Sequence, residues 1–146
     1  MSTRGHLPSP REIAETCLCF RTQRAARALA RRFDAAFRPL GLTNGQFSLL
    51  AMLSARDTRR MKDIVAFLAM DRTTLTAALK KLERDGLVVV TADPEDGRSK
   101  LVGLTAKGRR RLERAKPVWR DEHARLEREN AALDASALRR QLGALR

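Results

Sequence analysis

The chain has no tyrosine, one tryptophan and two cysteines. Cys17 and Cys19 cannot make a disulfide framework, so a core must hold the fold, and a reducing cytoplasm is the expected compartment. No uncharged apolar run approaches the roughly 18–20 residues of a membrane span, which excludes a transmembrane protein and a membrane partner. Residues 2–16 contain no apolar stretch, so no secretory signal is expected. The two histidines, His6 and His123, lie far apart and outside any ligand motif, so no metal site is expected. Gly97 and Gly103 sit in or beside an expected hairpin and not in a phosphate loop, and no Ser/His/Asp arrangement is suggested. Catalytic residues and cofactors are therefore not expected, and the chain reads as something other than an enzyme. Acid is also scarce: 17 Asp and Glu stand against 30 Lys and Arg, a formal net charge of +13. What is present is 146 residues, 43% of them apolar. That suffices for one domain with a packed core, and a polyanion is the natural partner.

The excess charge is uneven. Residues 1–40 carry 8 basic and 3 acidic side chains, residues 41–104 carry 10 and 8, and residues 105–146 carry 12 and 6. The middle third is the least basic, so net charge draws the chain toward nucleic acid without locating a reading surface. The run Arg109-Arg110-Arg111 fits a solvated helix face and phosphate contact equally well.

Residues 1–9 lack periodicity and are expected to form a frayed arm. From Pro10, apolar residues recur at helical spacing (Ile13, Cys17, Phe20, Leu29, Phe33, Phe37). This predicts one long helix of about 28 residues, ended by Pro39 and Gly41. Thr43 and Gln46 form a capping box that opens a helix with Phe47, Leu50, Ala51 and Leu53 inward. Residues 55–60 read as a polar turn, and residues 61–69 as a short amphipathic helix. Asp71 caps a helix running to Asp85, with Leu75, Ala78, Leu79 and Leu82 inward and Gly86 as its stop. Residues 87–91 and 99–104 are strand-like and flank the turn residues Asp93-Pro94-Glu95-Asp96-Gly97, so a β-hairpin is expected. Thr105 caps a further long helix threaded by Leu112, Ala115, Trp119, Leu126 and residues 131–133, with Pro117 as a place for a kink. His123 falls on its charged face. Asp134 caps a last helix bearing Leu138, Leu142 and Leu145.

This order predicts a mainly α fold with a small β-hairpin (α+β), a winged helix-turn-helix over residues 43–104. Long helices at 10–40 and 105–146 flank it within a single domain spanning 1–146. A major groove ~12 Å wide admits one helix. The exposed face of the 72–85 helix offers Arg72, Thr73, Thr74, Thr76 and Lys80, suited to base edges and phosphates. At the hairpin tip Arg98 can enter a narrow minor groove, with Asp96 placed to hold its guanidinium. The flanking helices carry apolar stripes that one small domain cannot cover, which points to a homodimer.

The fragments Gly41-Leu42-Thr43, Asp71-Arg72-x-Thr74-Leu75-Thr76, Leu82-Glu83-x-x-Gly86-Leu87-Val88 and Asp93-x-x-Asp96-Gly97-Arg98, followed by Leu104-Thr105-x-x-Gly108, resemble the MarR family of bacterial transcriptional regulators. The resemblance runs from about residue 12 to the C-terminus. It implies an obligate homodimer that binds a palindromic double-stranded operator, as a repressor or an activator. Its DNA contacts would be Arg72, Thr73, Thr74, Thr76, Lys80 and Arg98. It also implies an effector cleft for a small aromatic or anionic ligand, with Phe20, Arg24, Phe47, Leu50 and Trp119 as candidate lining. Leu18-Cys19-Phe20 is similar to the reactive-cysteine segment of the hydroperoxide-sensing branch, making Cys19 a candidate redox sensor. That branch sets tyrosine hydroxyls against the sulfur, and this chain has none. Two other classes compete: a non-specific nucleoid-like DNA binder, which +13 would suit, and a thiol redox protein using Cys19.

Overall fold

Short-range capping fixes where the helices begin. In the computed structural model, which describes residues 7–145, Ser9 opens α1 (Pro10–Thr16) through a reciprocal box with Glu12, and Pro10 occupies its first turn. Thr43 and Gln46 form the predicted box at α3 (Asn44–Leu53). Asp71 caps α5 (Arg72–Arg84), Thr105 caps α6 (Ala106–Glu129) and Asp134 caps α7 (Ala135–Gly143). Each supplies an oxygen to a backbone N–H that the first helical turn leaves unpaired. Residues 1–6 of the expected arm, with His6, lie outside the described residues; Ser9 is not frayed but a cap.

The single long first helix is corrected to two. Cys17 is extended (φ −68°, ψ 110°) and separates α1 from α2 (Leu18–Phe37), which a 3₁₀ turn at Arg38–Leu40 follows. The thiol of Cys17 accepts from the Phe20 N–H at 3.4 Å, and the Thr16 hydroxyl donates back to the Glu12 carbonyl. Helical periodicity persists across the break, which is why spacing alone does not reveal it. Gly41 ends the segment at φ 65°. The long C-terminal helix stops at Glu129, before residues 131–133, and stays continuous through Pro117.

The expected hairpin is β2 (Val88–Ala92) and β3 (Lys100–Leu104), paired antiparallel from Val88↔Leu104 to Ala92↔Lys100. The polar turn at residues 55–60 contains a further two-residue strand, β1 (Arg59–Arg60), against the other edge of β3. The sheet is therefore three-stranded in the order β1-β3-β2. Between β1 and α5 lies α4 (Met61–Leu68), closed by Ala69 in the left-handed region (φ 49°).

Leu75, Leu79 and Leu82 of α5, Ile64 of α4, and Leu50 and Leu53 of α3 form one buried core with Val102, Leu112, Phe33 and Phe37. On the flank joining α2 to α6, Arg32 donates to Glu122 and, at 2.5 Å, to Glu129. Burial disfavours the Glu122 charge, yet hydrogen bonds from Arg32 and Arg125 hold its carboxyl below the ordinary range.

The start of α6 is clamped to the α5–β2 junction. Thr105 donates its hydroxyl to the Gly86 carbonyl at 2.7 Å and its N–H to the Leu87 carbonyl at 3.1 Å. A Cβ on Gly108 would lie 2.0 Å from that same Leu87 oxygen, whereas one on Gly45 would meet open space. Gly108→Ala should therefore cost about 1–3 kcal/mol through overpacking. In urea unfolding its midpoint should drop with unchanged slope, while Gly45→Ala stays near the parent. An unshifted Gly108→Ala midpoint would refute the close approach.

Candidate nucleic-acid interface

With three leucines committed inward, α5 turns Arg72, Thr73, Thr76, Ala77 and Lys80 outward, where they line a shallow groove of about 450 Å³. Thr74 stands apart from that groove. Its hydroxyl donates to Asp71 Oδ2 at 2.5 Å and its N–H to Oδ1 at 2.8 Å, so it completes the cap. The Thr76 hydroxyl donates to the Arg72 carbonyl at 2.8 Å. Both hydroxyl protons are thus engaged, which leaves these threonines their oxygen lone pairs and methyl groups. A second groove, of about 290 Å³, joins this face to the sheet, with Arg72, Thr76, Lys80 and Glu83 on one side and Val90 and Lys100 on the other. The wing cation Lys100, two residues beyond Arg98, is not among the contacts expected from the sequence.

Arg98 is exposed at the wing, as expected. Asp96 does not hold its guanidinium, however. Asp96 Oδ1 accepts the Arg98 backbone N–H at 3.1 Å and orders the turn instead. The reason is the two-residue spacing, which favours an Asx turn onto the backbone. Behind the turn, Asp93 is only 4% exposed and accepts from Arg60 Nε at 2.8 Å, while Arg60 Nη2 reaches Glu95 at 2.7 Å. The Glu95 N–H and then the Arg60 charge hold the Asp93 carboxyl below its ordinary value against its burial. Within the Arg109–Arg111 run, Arg111 donates to the Leu40 carbonyl at 2.6 Å, a structural bond, and Arg109 and Arg110 are exposed.

The candidate effector residues separate. Phe47 and Trp119 line an open cleft of about 1010 Å³ between α3, α4 and α6, together with Ala51, Met52, Phe67 and Pro117, and with Arg59, Lys116 and Arg120 among its polar edges. Leu50 is fully buried in the core beneath it. Phe20 and Arg24 line a different groove, about 530 Å³, along α1 and α2 with Ala25 and Ala28. In the single chain they lie on that groove and not in the cleft. His123 is not a solvated surface residue. It is half-buried, its ring 4.6 Å from both Phe33 and Trp119, and burial followed by the Arg139 charge lowers its pKa. Cys19 is exposed, with its sulfur accepting from Gln23 Nε2 at 3.2 Å. Among the described residues no group of three or more His, Cys, Asp or Glu could hold a metal ion, and no helix is long and apolar enough to cross a membrane.

Comparison with known proteins places this geometry. The family model described as "MarR family" matches residues 40–99, from the end of the 3₁₀ turn to the wing. The crystal structure of the transcriptional regulator MosR of Mycobacterium tuberculosis, in complex with DNA, superposes with a TM-score of 0.77 at 43% identity, over 88% of this chain and 92% of that one. The chain belongs to the MarR family. Its fold is accordingly the winged helix-turn-helix of MarR regulators, and its relatives are transcriptional regulators and not enzymes. The repressor Rv2887 of M. tuberculosis is 34% identical over 70% of this chain and 74% of its own length. The organic hydroperoxide resistance transcriptional regulator of Bacillus subtilis is 32% identical over 94 residues, 64% of each chain. The match thus spans just under two thirds of that regulator.

The Asp71 cap has a defined pH dependence. The Thr74 hydroxyl and N–H stabilise the ionised carboxyl and lower its pKa from 3.8. Its contribution is therefore complete above 3.8 and fades as pH falls through the lower folded-state value. Asp71→Ala should lower the urea midpoint at pH 7, with the deficit narrowing below pH 3.8. A deficit independent of pH would remove the charge from the cap.

Proposed function

We propose that this MarR-family chain is a sequence-specific transcriptional regulator. It acts in the cytoplasm as a homodimer, binds a palindromic operator as a repressor, and is released by a small ligand or an oxidant. One observation carries the reading: a helix with three buried leucines presents Arg72, Thr73, Thr76 and Lys80 on one outward face, continuous through Lys100 with a wing bearing exposed Arg98. Arg72 and Lys80 supply charge for phosphates or guanine edges, and the threonine methyls suit thymine. Thr74 contributes by fixing the helix start. Arg98 reaches the adjoining minor groove, with Asp96 shaping the turn behind it.

The dimer reading is supported by helices that bury nothing. Neither α1 nor α7 has a buried residue, and Ile13, Leu18, Phe20, Leu138, Leu142 and Leu145 are all exposed in the single chain. A twofold partner covers such stripes and spaces two α5 helices about one DNA turn apart. The cleft at Phe47 and Trp119 suits a small aromatic or anionic effector. Its floor is apolar, and its rim carries Arg59 together with Lys116, paired to Glu113 at 2.6 Å, and Arg120, paired to Asp121 at 2.9 Å. Cys19, accessible in the first turn of α2, is the candidate oxidant sensor.

Salt titration tests the DNA reading. On a duplex enriched by the parent protein from a random-sequence pool, Arg98→Ala should weaken binding and reduce the slope of log K against log salt by about 1. Preference for that duplex over random DNA should reach about 10³ or more. Unchanged affinity and slope would remove Arg98 from the interface, and a ratio near one would favour the nucleoid-like alternative. For the sensor, an organic hydroperoxide should release the parent from the duplex but not Cys19→Ser. Equal release of both would clear Cys19 of the role.

A further inference from the structure

The wing is useful to DNA recognition only if its tip is held at one height and angle beside α5. The turn joining β2 to β3 has its own internal bonds: the Asp93 N–H to the Ser99 carbonyl at 3.0 Å, the Ser99 N–H to the Asp96 carbonyl at 2.8 Å, and the Asp96 N–H to the Asp93 carbonyl at 3.3 Å. These shape the turn but do not tie it to the body of the domain. Among the described residues, the polar contacts that reach the turn from outside the hairpin both come from Arg60 of β1. Its Nε meets Asp93 and its Nη2 meets Glu95, so one planar guanidinium spans the root of the turn, a geometry that a lysine's single nitrogen cannot reproduce. Asp93 is almost wholly buried, and its other oxygen accepts the Glu95 N–H at 3.0 Å. Arg60 is itself held by the register of β1 on β3, opposite Leu101. A continuous set of bonds thus runs from β1 through Arg60, Asp93 and the Asp96 N–H to Asp96 Oδ1 and the backbone of Arg98.

We propose that Arg60 is a positioning residue for DNA recognition: it touches no DNA, and it acts by locking the wing through Asp93 and Glu95 so that Arg98 is presented in one place. This rests on the DNA-binding reading of the wing. Without the lock the hairpin keeps its ladder, but its tip pivots about β3, and Arg98 pays an ordering cost on every encounter.

The test is a double-mutant cycle in the full chain, with the duplex enriched from a random-sequence pool as the ligand. Arg60→Ala alone should weaken binding about tenfold, and should change affinity less than about twofold when Arg98 is already alanine, because the two substitutions remove one and the same contact. Amide exchange at residues 95–99 should rise in Arg60→Ala while exchange in α5 stays at the parent level. Asp93→Asn serves as a second variant should Arg60→Ala fail to fold, since its amide keeps an acceptor for the Glu95 N–H while losing the charge that holds Arg60; it should reproduce the same non-additivity. A full tenfold loss retained in the Arg98→Ala background would mean that Arg60 acts on DNA directly or through the whole fold, and would overturn the proposal. The Arg98→Ala arm alone separates the two readings: if it leaves affinity unchanged, the wing contact itself is wrong, and the positioning role falls with it.

Discussion

The rest of the molecule depends on α3 having almost no face toward solvent. Gln46, Phe47, Leu49, Leu50, Met52 and Leu53 are buried, six of its ten residues. On one side Phe47 stacks on Phe37 of α2 at 4.6 Å and lies 6.4 Å from Trp119 of α6. On the other, the core runs on to Ile64, Leu75 and Val102. Both ends are fastened: the Asn44 N–H donates to Asp34 of α2 at 2.6 Å, and Arg59 Nε donates to the Met52 carbonyl at 3.1 Å. A helix apolar nearly all round cannot move without disturbing what packs on each side. The long helices and the winged region are therefore held in one relation by α3, and the orientation of α5 follows from it.

Against this frame the net charge of +13 has a more particular meaning. Several cations are committed to architecture. Lys107 donates to the Asp85 carbonyl at the end of α5, Arg111 to the Leu40 carbonyl at the end of the 3₁₀ turn, and Arg59 to the last turn of α3. Each meets a carbonyl at a helix end, where the helix dipole favours positive charge. Arg32 and Arg60 are engaged by carboxylates. The outward face of α5 and the wing retain Arg72, Lys80, Arg98 and Lys100. Overall charge thus overstates what is left for a polyanion.

Local signals in the sequence carried most of the fold. Caps at Thr43, Asp71, Thr105 and Asp134, leucines at i, i+4 and i+7 in α5, and glycine stops at Gly41 and Gly86 all depend on neighbours within one or two turns. What escaped depends on contacts far along the chain. A strand of two residues has no periodicity to read, and β1 exists only because β3 offers a free edge. Arg60 looks like any exposed arginine until the wing folds back against it across 33 positions. Phe20 and Phe47 have the same aromatic character, yet one lies on the α1–α2 groove in the first turn of α2, and the other is in the cleft, stacked on Phe37 at the far end of α2. His123 sits within a charged run, and Phe33 from α2 together with Trp119 one turn earlier half-buries it.

The cleft and the wing meet at β1. In an extended strand successive side chains point to opposite faces, and here Arg59 lines the cleft with Phe47, Trp119 and Arg120 while Arg60 grips Asp93 and Glu95 at the root of the wing. The two arginines share one peptide plane. Two ladder pairs with β3, Arg59 to Val102 and Arg60 to Leu101, set which face each arginine takes. Arg59 holds the last turn of α3 through the Met52 carbonyl, and Arg60, the next residue, holds the root of the wing. The shortest strand in the fold thus joins the wall of the cleft to the root of the wing.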